Sequence, residues 1–245
     1  MRIAVVGGAG TLGRQVTAEL SRRGHEVRVL SRRSPDFPVD LTTGQGLADA
    51  LAGCAAVVDA SNAQRQAMQV LVEGSARLLA AEQQAGVGHH VCISIVGCDQ
   101  VPIGYYKAKV EQERVVERGM VGWTIVRATQ FHELAASMFG AGARYRVLPA
   151  PAIPLQPVAA IDVARVLADA AESDQGGARI SVAGPEISSV RELARAWLSA
   201  TGRSAVLLPI PLPGRLGRAL RSGALTTSTA DVTGTTTFAD WLAAE

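Results

Sequence analysis

The sequence predicts an α/β fold in which a parallel sheet is wound on both faces by helices. Three observations point there. Strand-like and helix-like runs alternate from the first residues, the strand-like runs are continuously apolar, and the first ends in a glycine-rich turn. "RIAVVGG" is a short apolar run closing on glycine, and "TLGRQVTAELSRRG" carries helical periodicity with a stop at Gly24. "HEVRVLSR" is the second strand. After a proline-containing loop (Ser34 to Pro38), "GQGLADALAG" is a short helix and "AAVVDAS" a buried strand. A helix over about Ala63 to Gln84 precedes the strand "HHVCISIVG". Then follow a helix from about Gly104 to Arg118, the strand "GWTIVRA" and a helix beginning near Gln130.

Beyond about residue 145 prolines punctuate "LPAPAIPLQP", "AGPE" and "LLPIPLPG", while helices persist at "AAIDVARVLADAAES" and "SSVRELARAWLSATG". Ser189 and Glu192 fit a capping box. The expected organisation is a nucleotide-binding domain over 1–150 and a small mixed lobe over 151–245. The lobe covers the carboxyl ends of the strands and interleaves with the first domain as one compact unit.

With 245 residues, 48% of them hydrophobic and few aromatic, the chain can bury a large core without disulfides. The formal charge of +2, with no basic cluster interleaved with aromatics, argues against a nucleic-acid partner. Cys54, Cys92 and Cys98 are odd in number and lack paired metal spacing, so reduced thiols in a cytoplasmic protein are expected. His89 and His90 open a strand with no third ligand at metal spacing, and no metal is expected. No apolar run is long enough to span a bilayer, and Met1 leads directly into a strand, so neither a signal peptide nor a membrane partner is expected. "GRLGRALRSG" is basic and amphipathic, which suits a solvated helix or a contact with a membrane or partner. The remaining partners considered are a small-molecule substrate and a second copy of the chain.

Gly7, Gly10 and Gly13 give the G-x-x-G-x-x-G spacing between the first strand and the first helix. The first glycine allows a tight turn, the second lets backbone approach a pyrophosphate, and the third brings helix and strand close. The amides of Thr11, Leu12 and Gly13 then face the phosphates. A P-loop is excluded, because no Gly-Lys-Ser/Thr follows. The second strand ends in Leu30-Ser31-Arg32-Arg33, without the carboxylate that would accept from the ribose 2′-hydroxyl of NAD. Arg32 and Arg33 can grip a 2′-phosphate, so NADP(H) is expected ahead of NAD(H). Asp40 and Leu41 are placed to flank the adenine, and Asp59, Ala60, Ser61 and Asn62, ending another strand, to lie along the cofactor.

Taken together, "GGAGTLG", "VLSRR", "ISIVG", "YYKAK", "TIVRATQF" and "PVAAIDVA" resemble the short-chain dehydrogenase/reductase superfamily in its atypical, NmrA-like branch. The resemblance covers most of the chain and implies a Rossmann-type fold. In reductases of the superfamily a Tyr-x-x-x-Lys pair works with an upstream serine; those positions match Tyr105, Lys109 and Ser94. A Tyr and a Lys at i,i+4 share one helical face. A phenol with a pKa of ~10 is a sluggish base at neutral pH, and a nearby ammonium favours its ionised form. Ser94 would hold a substrate oxygen. Lys109 would also touch the cofactor. Tyr106, at i,i+3 from Lys109, competes for the proton-transfer role, but the family spacing selects Tyr105 and leaves Tyr106 to line the pocket.

The resemblance also assigns Thr129, Gln130 and Phe131 to the nicotinamide half of the cofactor. His132 could touch substrate, or serve as a cap or surface residue. Arg127 could serve the same cofactor region or pair with a carboxylate such as Glu111. Asp162 is expected to cap a helix or fix the lobe. Phe139, Tyr145, Ile153 and Leu155, with Arg144 and Arg146, are candidate pocket walls. The implied activity is NADP-dependent hydride transfer to or from a small, largely apolar carbonyl, alcohol or quinone. The alternatives are a non-catalytic NADP(H)-binding regulator and, third, a nucleotide-sugar epimerase.

Overall fold

The computed structural model describes residues 1–173 and 176–244. In chain order, β1 (Arg2–Val6), α1 (Thr11–Arg22), β2 (Glu26–Ser31), β3 (Phe37–Pro38), α2 (Leu47–Leu51) and β4 (Ala56–Asp59) come first. A π-helical turn (Met68–Glu73) runs into α3 (Gly74–Ala85), followed by β5 (His89–Ile95), α4 (Gly104–Glu117) and β6 (Gly122–Ala128). Next are α5 (His132–Ala143), β7 (Val147–Pro149), β8 (Pro154–Leu155), α6 (Ala160–Glu172) and β9 (Ala178–Ala183). The chain ends with β10 (Ser188–Ser189), α7 (Val190–Thr201), β11 (Val206–Leu208), α8 (Gly214–Arg221), β12 (Val232–Thr233) and α9 (Phe238–Ala244).

Eight strands form one sheet in the order β12-β9-β6-β5-β4-β1-β2-β3, as the alternation of apolar strands and helices requires. β1 pairs in parallel with both β2 and β4, so the strand order reverses beside it. That reversal puts the glycine turn after β1 at a topological switch point, where such sheets bind ligands. Among the described residues no helix is long and apolar enough to cross a membrane.

The chain divides into two compact units. The first comprises Met1–Ser94, Gly104–Arg127 and Val163–Ile180, and the second Ile95–Ile103, Ala128–Asp162 and Ser181–Glu245. The chain passes between the units repeatedly. Aliphatic side chains fill the first unit, including Val6, Leu30, Leu51, Val57, Leu78 and Ile125. The second is built on Phe139, Leu148, Trp197 and Phe238, with Trp241 stacked on Phe238 at 5.9 Å between ring centroids.

Two helix starts differ from the sequence expectation. The helix expected from Ala63 begins only with the π-turn at Met68, because Gln66 adopts φ 59°, which no right-handed helix accommodates. α5 starts at His132, after Phe131 with extended backbone (φ −71°, ψ 148°). The capping box is present: the Ser189 hydroxyl accepts from the Glu192 amide at 3.2 Å, and Glu192 accepts from the Ser189 amide at 2.7 Å.

Candidate functional site

The glycine turn is a cradle without side chains. Gly7 has φ 71°, and a Cβ there would lie 2.8 Å from the Ala60 carbonyl oxygen beyond β4. A Cβ on Gly13 would fall 2.2 Å from the Gly7 carbonyl oxygen, so only glycine lets α1 pack this close. α1 opens at Gly10 with no side-chain cap and no acidic residue in its first turn. The first-turn amides of Thr11, Leu12 and Gly13 have no intrahelical acceptor and suit an anion. Alongside, the Ser61 hydroxyl is buried with no hydrogen-bond partner among the described residues. The donor set, the bare backbone and that hydroxyl fit a dinucleotide pyrophosphate and its ribose.

Arg32 and Arg33 follow β2 as exposed side chains. The Asp40 carboxyl accepts from the Thr42 hydroxyl at 2.7 Å and the Thr42 amide at 2.8 Å. Those bonds, with a smaller contribution from the charge of Arg32, hold it below the usual carboxylate range. Leu41 is buried, its Cβ against Gly74, so its side chain belongs to the core.

Tyr105 lies in the first turn of α4, half-buried, and its hydroxyl donates to Asn62 Oδ1 at 2.9 Å. Asn62 follows the Ala60–Ser61 backbone that packs on Gly7, which ties the phenol to the glycine turn. Tyr106 is also half-buried, with its ring 5.6 Å from that of Tyr105. Lys109 is 2% exposed, and its ammonium donates to the Ile93 carbonyl and to Gln112 Oε1, both at 2.6 Å. Gln112 in turn donates to Asp59 Oδ2 at 3.1 Å and to the Ser75 hydroxyl at 3.0 Å. Asp59 accepts also from the Ser61 amide at 2.9 Å and the Ser75 hydroxyl at 3.3 Å. A fully buried carboxylate thus stands one amide away from the buried ammonium.

Ser94 is placed differently from the expectation. It is buried, and its hydroxyl donates to Glu113 Oε1 at 2.5 Å. Glu113 is held in turn by Arg127, at 2.9 and 2.6 Å, and by Arg179 at 3.2 Å. The carboxylate paired with Arg127 is therefore Glu113 rather than Glu111, which pairs with Arg114 at 2.5 Å. The reason is helical phase. Lys109, Gln112, Glu113 and Val116 form the buried face of α4, and Glu111 lies off it.

In the second unit, Thr129 is buried and its hydroxyl accepts from the Gly184 amide at 3.2 Å. Gln130 donates to the Leu225 carbonyl at 2.8 Å and accepts from the Gln156 amide at 3.0 Å. Phe131 forms an isolated bridge with Val158. His132 is neither a cap nor a surface residue. It is fully buried against Phe238 and Trp241, at 5.5 and 5.7 Å, with Nε2 3.1 Å from the Thr236 carbonyl oxygen. Burial pushes its imidazole below the usual value, and this enclosure argues against the expected substrate contact. Asp162 fixes the tail by accepting from the Thr235 amide at 3.1 Å. Of the expected pocket walls, Phe139 is core and Tyr145 is 70% exposed.

Sequence reasoning placed Asp59 along the cofactor, whereas it is fully buried, and it missed the polar interior around Asp59 and His90: Ser75, Glu82, Gln112 and Glu113. Polar residues at 109, 112 and 113 on one helix face were the available signal. His90 Nδ1 lies 2.8 Å from Glu82, both side chains fully buried. Burial is the largest single effect on His90 and opposes its protonation, but the charge and hydrogen bond of Glu82 together with those of Cys92 outweigh it and hold the imidazole well above its ordinary value. Burial raises Glu82 as well. The third metal-type residue that sequence spacing lacked comes from a neighbouring strand. Asp59 is in register with Cys92, which brings ligand atoms of Asp59, His90 and Cys92 within 4.8 Å of one another. Asp59 is already engaged by three donors.

The profile of the NAD(P)H-binding family matches residues 7–174. The chain belongs to that family. This establishes the cofactor class that the cradle suits. Over 151 residues the chain is 28% identical to photosystem II assembly factor Ycf39 of Trieres chinensis, covering 54% of this chain and 47% of that protein. Over 112 residues it is 33% identical to a 3-beta-hydroxysteroid dehydrogenase of Mycolicibacterium neoaurum, covering 37% of this chain and 31% of that one. These matches span less than half the length of either relative. The fold is similar to that of an NADPH-dependent quinone oxidoreductase of Escherichia coli in complex with NADPH, with a TM-score of 0.81, 18% identity and 99% of each chain covered. It is also similar to a nucleoside-diphosphate-sugar epimerase of Staphylococcus aureus, with a TM-score of 0.80, 17% identity and 99% of each chain covered.

Proposed function

We propose that the protein is an NADP-dependent oxidoreductase acting on a small, largely apolar carbonyl, alcohol or quinone. The observation that carries the reading is the bond from the Tyr105 hydroxyl to Asn62, next to the backbone that closes the glycine cradle. When bound, the nicotinamide supplies or accepts the hydride. Tyr105 gives or takes the proton at the substrate oxygen, and Asn62 orients the phenol while its amide NH2 is available to polarise that oxygen. Lys109 lies one turn further along α4, its ammonium held by the Ile93 carbonyl and by Gln112, which Asp59 anchors from behind. Ser94 acts through Glu113, closing the pair with Arg127. Arg32 and Arg33 hold the 2′-phosphate.

The test follows NADPH absorbance against a panel of ketones, enones and quinones. Tyr105→Phe is expected to lower kcat by about 10²–10⁴-fold, with NADPH affinity retained. Arg32→Ala is expected to weaken NADPH by about tenfold and NADH little, since it removes a charge-assisted contact to the phosphate alone. Equal losses for the two cofactors would overturn the NADP preference. A second reading, an NADP(H)-binding regulator, is favoured by the likeness to an assembly factor and by the engagement of Ser94 with Glu113. Tight NADPH binding with no turnover on any substrate supports that reading instead.

A further inference from the structure

The second unit carries a segregation of charge that hydride transfer does not use. Residues 134–161 and 193–230 hold seven arginines and no aspartate or glutamate, in a chain with 24 basic and 22 acidic residues overall. Arg144, Arg146 and Arg203, with Ala143 and Ser204, line an open depression of about 610 Å³. No carboxylate pairs with these three among the described residues. Their neighbours are aromatic instead: Arg144 lies 4.9 Å over the Tyr145 ring and Arg203 5.4 Å over the Trp197 ring. Arg146 is held at φ 57°, uncommon for a residue with a side chain, by bonds of 2.9 Å to Ala143 and to Val206.

Beside the arginines is an apolar face. β7 and β11 pair in parallel, with Val206 against Val147, Leu207 against Leu148 and Leu208 against Pro149. Leu148 is buried, while Val147, Val206 and Leu208 point outward at 37%, 61% and 43% exposure. Exposed aliphatics bordered by unpaired guanidiniums and an exposed tyrosine match the two layers of a bilayer surface, anionic headgroups over acyl chains.

We propose that this face of the second unit docks on an anionic phospholipid membrane surface, with headgroup phosphates taken by Arg144, Arg146 and Arg203 and the β7–β11 face lying against the acyl boundary. A single-stranded nucleic acid would call for several exposed aromatics to stack on, and Tyr145 is the one exposed beside these arginines; a duplex offers no apolar layer for Val147, Val206 and Leu208. Adsorption to a membrane surface needs no bilayer-spanning run, so the lack of one in the sequence does not oppose it.

The test sediments the full chain with sucrose-loaded vesicles of phosphatidylcholine, with and without phosphatidylglycerol, at low salt. Binding to the anionic vesicles is expected to be tighter by about tenfold or more and to weaken as salt is raised. Arg146→Glu with Arg203→Glu returns binding to the level of neutral vesicles. Val206→Asp with Leu208→Asp lowers it by about tenfold, the apolar part of the interaction being lost. Far-UV circular dichroism is expected to be unchanged in both double variants, since all four side chains are exposed. Equal binding to both kinds of vesicle, or full binding after charge reversal, overturns the proposal. Absence of sedimentation with anionic vesicles also overturns it, and inorganic phosphate binding that is then lost in the Arg146→Glu, Arg203→Glu variant assigns the arginines to a soluble phosphate.

Discussion

The first unit keeps ionisable side chains inside: Asp59, Glu82, His90, Lys109 and Glu113 are each at most 2% exposed, with Gln112 linking Lys109 to Asp59, His90 paired with Glu82, and Glu113 held by Ser94 and Arg127. The second unit centres on Phe139, Trp197 and Phe238 and leaves its arginines on the outside. Burying charge is costly unless every group is paired, whereas an aromatic interior stabilises through area and packing alone. The difference teaches where function constrains this chain. Charged groups that are expensive to bury gather behind the glycine turn, whereas the second interior is mainly aromatic, with His132 enclosed in it.

Variants in each interior can break or sharpen this contrast. The largest effect is expected from Asp59→Ala, which strands the Ser61 amide, the Ser75 hydroxyl and the Gln112 amide: stability falls by about 3–5 kcal/mol in chemical denaturation, and Asp59→Asn loses less. A loss below about 1 kcal/mol, within the range of one ordinary hydrogen bond, would show the network to be idle. Trp197→Ala should cost about 3 kcal/mol through the cavity it leaves, with NADPH affinity of the folded protein unchanged. Ser189→Ala removes one side of the capping box on α7 and should lower stability by about 1 kcal/mol.

The smallest effect depends on pH. Hydrogen bonds from Arg22 and Arg23 pull the Glu19 carboxyl down to about 2 from an ordinary 4.5. A depressed carboxyl stabilises the fold fully above the higher value and stops doing so as pH falls through the lower. The difference in thermal midpoint between the native chain and Glu19→Gln should therefore be steady near neutral pH and shrink between pH 4.5 and about 2.

The alternation of apolar strands and helices made the sheet legible, because side-chain periodicity is local. The glycine turn was legible for the same reason: its requirement is written in three glycines spaced three residues apart. The helix expected from Ala63 failed at Gln66, whose left-handed backbone carries no compositional mark. The partners of Ser94 and Arg127 were not legible either. Both depend on which face of α4 turns inward, and Glu111 and Glu113 differ by 200° of helical phase at about 100° per residue. The Asp59–Cys92 juxtaposition needed the register between two strands, which no single segment contains. His132 resembled a helix cap in sequence and proved to be core, because Phe238 and Trp241 arrive from more than a hundred residues away.

The central claim is that bare backbone at the start of α1 holds the dinucleotide, and Gly10→Val tests it most directly. Gly10 has φ −77°, open to any residue, and a Cβ there meets only the Gly7 carbonyl oxygen, at 3.1 Å. The variant should therefore fold normally while placing a side chain where the pyrophosphate must approach. Calorimetric titration with NADPH is predicted to show binding to the native chain and a loss of about 100-fold or more in the folded variant. Unchanged affinity in Gly10→Val would contradict the account.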